Sequence, residues 1–220
     1  MNELPGQRTT DAGTTPRAIL MNTEGAIPLA GPNVLDSVNA YDGGNTNRVD
    51  EIRAGWLMAQ HTATTKWSPC KRTRANGAGV ATATLVVSNA AAFQVGEKLQ
   101  VGSNANCVIS TINYLTNTIT LSATKSWSDL DVVYTTTLKD GTTSAAGYEI
   151  PKAINKQGVR MLSGVPFEST YVDKACPLWA GGYFNSSMIL GDLTAARLFD
   201  STAVPMNLRL CLWSDQAQIL

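Results

Sequence analysis

Between residues 80 and 137 the chain passes through five apolar stretches of strand length, joined by short polar turns. VATATLVV at 80–87 alternates, and FQVGEKLQV at 93–101 repeats apolar residues around a Gly turn. NCVISTI at 106–112, NTITLS at 117–122 and DVVYTTT at 131–137 are rich in Val, Ile and Thr. β-Branched side chains pack well on a pleated strand and lose χ1 freedom in a helix. Strands of this length with such short connections can close on themselves, so a small β-barrel or sandwich is expected over 78–138.

The flanks read as a second, mainly β framework over 51–77 and 139–220, α+β in that it carries a few short helices. Ile52 to Gln60 (IRAGWLMAQ), a polar turn, and Trp67 to Cys70 form strand, turn and strand, and Asn76-Gly77 marks a tight turn. After a linker from Asp140-Gly141 to Gly147, Pro177 to Phe184 is strand-like. Asn185 is placed to cap a short helix over 186–190, with one more helical turn over 193–199. Met206 to Trp213 alternates as a closing strand. Residues 1–50 differ in texture. Pro5, Pro16, Pro28 and Pro32 interrupt helices and central strands, so an extended N-terminal arm is expected, closed by the turn cluster Asp42-Gly43-Gly44-Asn45. Its short apolar pieces, with Ile19, Leu20, Ile27 and Leu29, are suited to ordering against another surface.

Charge narrows the function. Asp, Glu, Lys and Arg make up 15% of the chain, where a soluble domain carries about a quarter. A charge-poor exterior fits a protein whose surface is covered by neighbours. Seventeen basic and seventeen acidic residues cancel, which leaves no positive field to displace counterions from nucleic acid. The local run Lys71, Arg72, Arg74 reads as a solvated loop. No window approaches the roughly 18 apolar residues of a membrane helix. The N-terminus lacks the apolar core of a secretory signal, so synthesis and residence in the cytosol, or exit by lysis, are expected.

No chemistry is spelled out. Cys70, Cys107, Cys176 and Cys211 lie far apart with no Cys-x-x-Cys pair, so they read as buried free thiols and not as a metal site. The single histidine, His61, is near no Gly-x-Ser-x-Gly elbow, and there is no phosphate-binding or dinucleotide-binding glycine motif. No enzyme activity, cofactor or metal is expected. The tryptophans at 56, 67, 127, 179 and 213 read as core or interface residues.

Two stretches carry a family resemblance. Ala54-Gly55-Trp56-Leu57-Met58-Ala59, followed by Thr62-Ala63-Thr64-Thr65-Lys66-Trp67-Ser68-Pro69, resembles the opening strands of the lambda-type bacteriophage head decoration family. Cys176 to Asn185 (CPLWAGGYFN), followed by Met188-Ile189-Leu190, resembles that family's late element, in the right order. The smallest members have no counterpart of 78–138 and end before the residues after Leu193. The resemblance implies a β-rich α+β protomer that trimerises on the outer surface of an expanded capsid, made in the host cytoplasm and carried on the virion. Its partners would be the major capsid protein and itself, with neither nucleic acid nor membrane. The arm would bind the capsid through Ile19, Leu20, Ile27 and Leu29, and Trp179, Tyr183 and Phe184 would lie at the trimer contacts. The alternatives are another phage structural part (head fibre, tail or baseplate accessory protein), a carbohydrate-binding β-module using Trp127, and, last, a hydrolase with unpaired carboxylates.

Overall fold

The computed structural model describes residues 19–46, 48, 50–143, 147–163, 170–194 and 210–213. In chain order the strands are β1 (Leu20–Pro28), β2 (Val34–Leu35), β3 (Glu51–Ile52), β4 (Leu57–Gln60), β5 (Trp67–Pro69), β6 (Arg72–Arg74), β7 (Gly79–Val86) and β8 (Lys98–Val101). They continue with β9 (Asn104–Asn113), β10 (Thr118–Trp127), β11 (Val132–Thr137), β12 (Ala153–Asn155), β13 (Val159–Arg160), β14 (Lys174–Ala175), β15 (Leu178–Phe184) and β16 (Leu210–Trp213). The fold is mainly β, as the run of β-branched segments requires.

Six strands form an antiparallel sheet in the order β6-β11-β8-β9-β10-β7. It curls until its two ends meet. Ala75 bridges Val87, the Asn76 N–H donates to the Val86 carbonyl at 2.9 Å, and the Ser88 N–H donates to the Arg74 carbonyl at 2.9 Å. The curled sheet is thus bridged at this corner into a barrel-like shape. Alternation along its strands sends Leu85, Leu99, Val101, Cys107, Ile109, Ile119, Leu121 and Val133 inward, where they pack with Phe93 and Trp127. Each fully buried Leu or Ile contributes about 1.5–3 kcal/mol. The barrel draws on Arg72–Arg74, residues assigned from sequence to the framework, so its strands begin before residue 78.

The framework sheet runs β1-β15-β12-β4-β5-β2-β14, with β16 parallel to β15, and β3 and β13 form a separate pair. Strand β4 explains the unbroken apolar run of the sequence. Trp56 and Met58 pack on one face with Leu35, Trp67 and Leu178, while Leu57 and Ala59 pack on the other with Ile154, Tyr148 and Phe184. Both faces are covered, so neither parity is polar.

The arm expected over 1–50 is shorter than its boundary. Leu35, Asp36, Asn39, Ala40, Asp42 and Asp50 are buried in the core, which is built here on carboxylates. Asp42, fully buried, accepts from Arg53 Nε (2.7 Å) and Nη2 (2.8 Å) and from Trp56 Nε1 (2.7 Å). Asp36 accepts from the Tyr148 hydroxyl at 2.7 Å. Residues 1–18 lie outside the described residues, and 20–28 form strand β1 on the protein's own sheet.

Asn185 caps as expected, its Oδ1 accepting from the Ser187 N–H (3.2 Å) and hydroxyl (2.7 Å). The helix it caps is a single 3-10 turn, Ser186–Met188. It stops there because Leu190 is held in an extended bridge to Trp56. The expected helical turn at 193–199 and the strand start at 206–209 fall largely outside the described residues, and β16 occupies 210–213.

Barrel and framework meet at a buried ion pair. Lys71 Nζ lies 2.6 Å from Glu97 Oε1 with both side chains fully buried, and also donates to the Ala92 carbonyl at 2.8 Å. The Thr135 hydroxyl donates to Glu97 Oε2 at 3.2 Å. Lys71 is thus no member of a solvated loop. Burial pushes the Glu97 carboxyl up against the downward pull of the Lys71 ammonium. Around the pair, Gln94 Nε2 donates to the Asn39 carbonyl (3.1 Å) and the Gly43 N–H to the Ala91 carbonyl (2.8 Å). Tyr114 lies against Gly43, where a Cβ would stand 2.4 Å from its ring, so only glycine admits the contact.

Candidate functional site

Strand β15 gathers most of the residues singled out from sequence. Its backbone pairs with β1 through Leu20↔Phe184 and Pro28↔Trp179, with β12 through Ile154↔Trp179, and with β16 through Tyr183↔Leu212 and Phe184↔Trp213. Trp179 and Tyr183 are half-buried, and Lys156 Nζ stands 4.5 Å from the centroid of the Trp179 ring, within cation–π reach. Phe184 differs from expectation. It is fully buried in its own protomer with Ile19, Leu57, Tyr148 and Ile154, so it has no surface to offer a neighbour.

The four arm residues also divide. Ile19 is buried, with Leu20 packed beside it, and Leu29 packs on the opposite cluster with its N–H donating to the Leu178 carbonyl at 2.9 Å. These three are held by the protein itself and are not free capsid anchors. Only Ile27, 40% exposed, can reach outward, joined by Met21 at 51%. Both lie on β1, which ends one side of the framework sheet, with no strand among the described residues paired on its outer side. Sequence reasoning passed over Met21, although it continues the same apolar piece as Ile19 and Leu20.

The two stretches that carry the family resemblance come together. The Leu190 N–H donates to the Gly55 carbonyl at 2.9 Å, and the Leu57 N–H donates to the Leu190 carbonyl at 2.9 Å. Gly55 has φ +88, and a Cβ there would lie 2.5 Å from the Met188 carbonyl oxygen. Glycine is thus required by both backbone conformation and close approach. On the barrel, the paired residues Thr84, Thr120 and Thr111 form a row across β7, β10 and β9. Ser110, Ser122 and Thr124 are exposed on the same strands.

The remaining candidates are placed as follows. Trp127 is 7% exposed, covers Gly79 and donates from Nε1 to the Gly77 carbonyl at 3.1 Å, so it is a wall of the barrel and not a sugar-stacking platform. His61 is buried against Tyr148, with ring centroids 5.4 Å apart. Among the described residues no group of three His, Cys, Asp or Glu side chains could hold a metal ion. A cleft of about 290 Å³ lies where Thr73 and Arg74 of the barrel face Leu190 and Asp192 of the framework. Arg72 and Arg74 each approach Asp192 Oδ2, at 3.5 and 3.8 Å.

Cys70, Cys107 and Cys176 are buried free thiols. Burial pushes all three up, Cys176 to about 12, which keeps them protonated at neutral pH. Alkylation of the native protein with iodoacetamide should therefore leave these three unmodified, and all should react in denaturant. Peptide mapping that finds Cys70 or Cys176 modified under native conditions would show that the framework opens locally.

Comparison with protein-family models, with curated proteins and with solved structures finds no match to this chain.

Proposed function

We propose that this is a decoration protein of a tailed-bacteriophage head, binding the outer surface of the expanded capsid and stabilising it. The observation that carries the reading is the seam at Gly55, Leu57 and Leu190. The two stretches resembling the decoration family, remote in sequence, are hydrogen-bonded into one unit. The barrel is inserted between them in sequence.

In this reading β1 supplies the capsid contact. Its outer edge can accept main-chain hydrogen bonds from a strand of the major capsid protein, and Met21 and Ile27 give apolar contacts beside it. The half-buried Trp179 and Tyr183 serve the contacts of a homotrimer. The uncharged threonine row of the barrel suits a surface that packs against neighbours. The mechanism is thermodynamic: a protein that binds the expanded lattice and not its precursor stabilises the expanded form by its binding free energy.

A reconstruction of the parent particle should show trimeric density on the capsid, with the barrel resolvable in each protomer. Density confined to the tail or baseplate would replace this reading with that of another virion part.

A further inference from the structure

Three loops converge beside the β4–β5 hairpin and leave a cleft of about 120 Å³. Asp36 and Asn39 enter from the turn after β2, His61 and Lys66 from the hairpin, and Asp140 and Thr142 from the segment after β11. His61 is 4% exposed and Asn39 3%. Each holds a polar atom that no group among the described residues satisfies, His61 Nε2 and Asn39 Oδ1. Unmet polar atoms at such depth are uncommon and forfeit their hydration.

Neighbouring bonds settle which atom is donor and which acceptor. His61 Nδ1 accepts from the Thr64 N–H at 3.3 Å, so in the neutral ring Nε2 carries the proton. Asn39 Nδ2 donates to Asp36 Oδ2 at 3.0 Å and to Asp140 Oδ2 at 3.1 Å, which directs Oδ1 away from both carboxylates. The cationic group of the cleft is already engaged, Lys66 Nζ lying 2.7 Å from Asp173 Oδ2. What the cleft lacks is one acceptor for His61 and one donor for Asn39, beside an exposed carboxylate, Asp140, with lone-pair capacity left.

We propose that this cleft binds a primary carboxamide, the group that an Asn or Gln side chain carries. The amide oxygen accepts from His61 Nε2. One amide hydrogen goes to Asn39 Oδ1 and the other to the Asp140 carboxylate. The competing chemistries match less well. A carboxylate brings no donor and meets Asp36 and Asp140, an ammonium brings no acceptor for His61, and an alcohol serves His61 and Asn39 but leaves Asp140 to solvent. The site is independent of the decoration reading.

Because His61 is the only histidine, its imidazole nitrogen resonances report on the cleft without ambiguity. The full chain would be titrated with propionamide, and separately with propionate, propanol and propylamine, while these signals are followed by NMR. Propionamide should give a saturable shift with Kd on the order of tens of millimolar, as expected for so small a ligand. Propionate and propylamine should bind roughly fivefold more weakly or worse, the cost of one missing hydrogen bond, and propanol, which lacks only the bond to the exposed Asp140, more weakly by a smaller factor. His61→Phe, which keeps a ring against Tyr148, should weaken propionamide binding roughly tenfold when followed at the Asn39 side-chain amide. No saturable shift with propionamide, or equal shifts with all four compounds, overturns the proposal and leaves a cleft filled by water. If His61→Phe does not fold, the titration of the unaltered protein decides alone.

Discussion

Lys71→Met should destabilise the protein by about 3–5 kcal/mol, since removing one partner of a buried ion pair leaves the other charge without compensation. Glu97 would then be enclosed without a counter-charge, bonded by neutral donors, the Thr135 hydroxyl and the Gln94 backbone. Against a typical total of about 5–15 kcal/mol, this is a large share. In a chain of this size it corresponds to a fall in Tm of roughly 6–20 °C. The double variant Lys71→Met, Glu97→Leu should recover most of the loss, because a well-packed apolar pair avoids the desolvation that both charges suffer. Thermal and urea unfolding followed by tryptophan fluorescence would measure both. A single variant that costs under about 1 kcal/mol, or a double variant no better than the single, would mean that water reaches the pair.

The second large effect concerns where the barrel can be cut out. Deleting 78–138 and joining the ends with a short Gly/Ser linker should abolish cooperative folding. The cut leaves β6 without β11, Lys71 without Glu97 and the Ala92 carbonyl, and the Gly43 N–H without its acceptor. Deleting 72–137 with Lys71→Met removes more chain and should cost less, because the orphaned strand leaves with the barrel and the buried charge is gone. Circular dichroism and urea titration of the two deletions would decide. A cooperative transition for the first and none for the second would mean that the framework depends on β6 and not on the ion pair.

These predictions follow from features that the sequence displayed unevenly. The barrel strands were legible because each has one buried face, so Leu85, Ile109, Ile119 and Val133 alternate with residues turned outward. The end of the arm was not, because the core just after β1 is built on Asp36 and Asp42, residue types that mark turns in a sequence. What makes them interior is Tyr148, Arg53 and Trp56, supplied from elsewhere in the chain. The Lys71–Glu97 pair was hidden for the same reason. A lysine beside two arginines reads as solvated until the fold brings a carboxylate to it. Phe184 shows the opposite error: an apolar residue in a Gly-rich strand suited an interface equally well, and only the packing of Ile19 and Leu57 around it settles the matter. At the candidate site, Met21 and Ile27 emerge from the backbone pairing of β1 with β15, which no local pattern announces.

The proposed decoration role turns on whether the protein distinguishes two states of one capsid. Purified protein would be mixed with expanded and unexpanded heads of the parent phage and sedimented, with bound copies counted by quantitative mass spectrometry. Saturable binding to expanded heads, in multiples of three per site, with little or none to unexpanded heads, is the result predicted. Equal binding to both, or binding to neither, would contradict it.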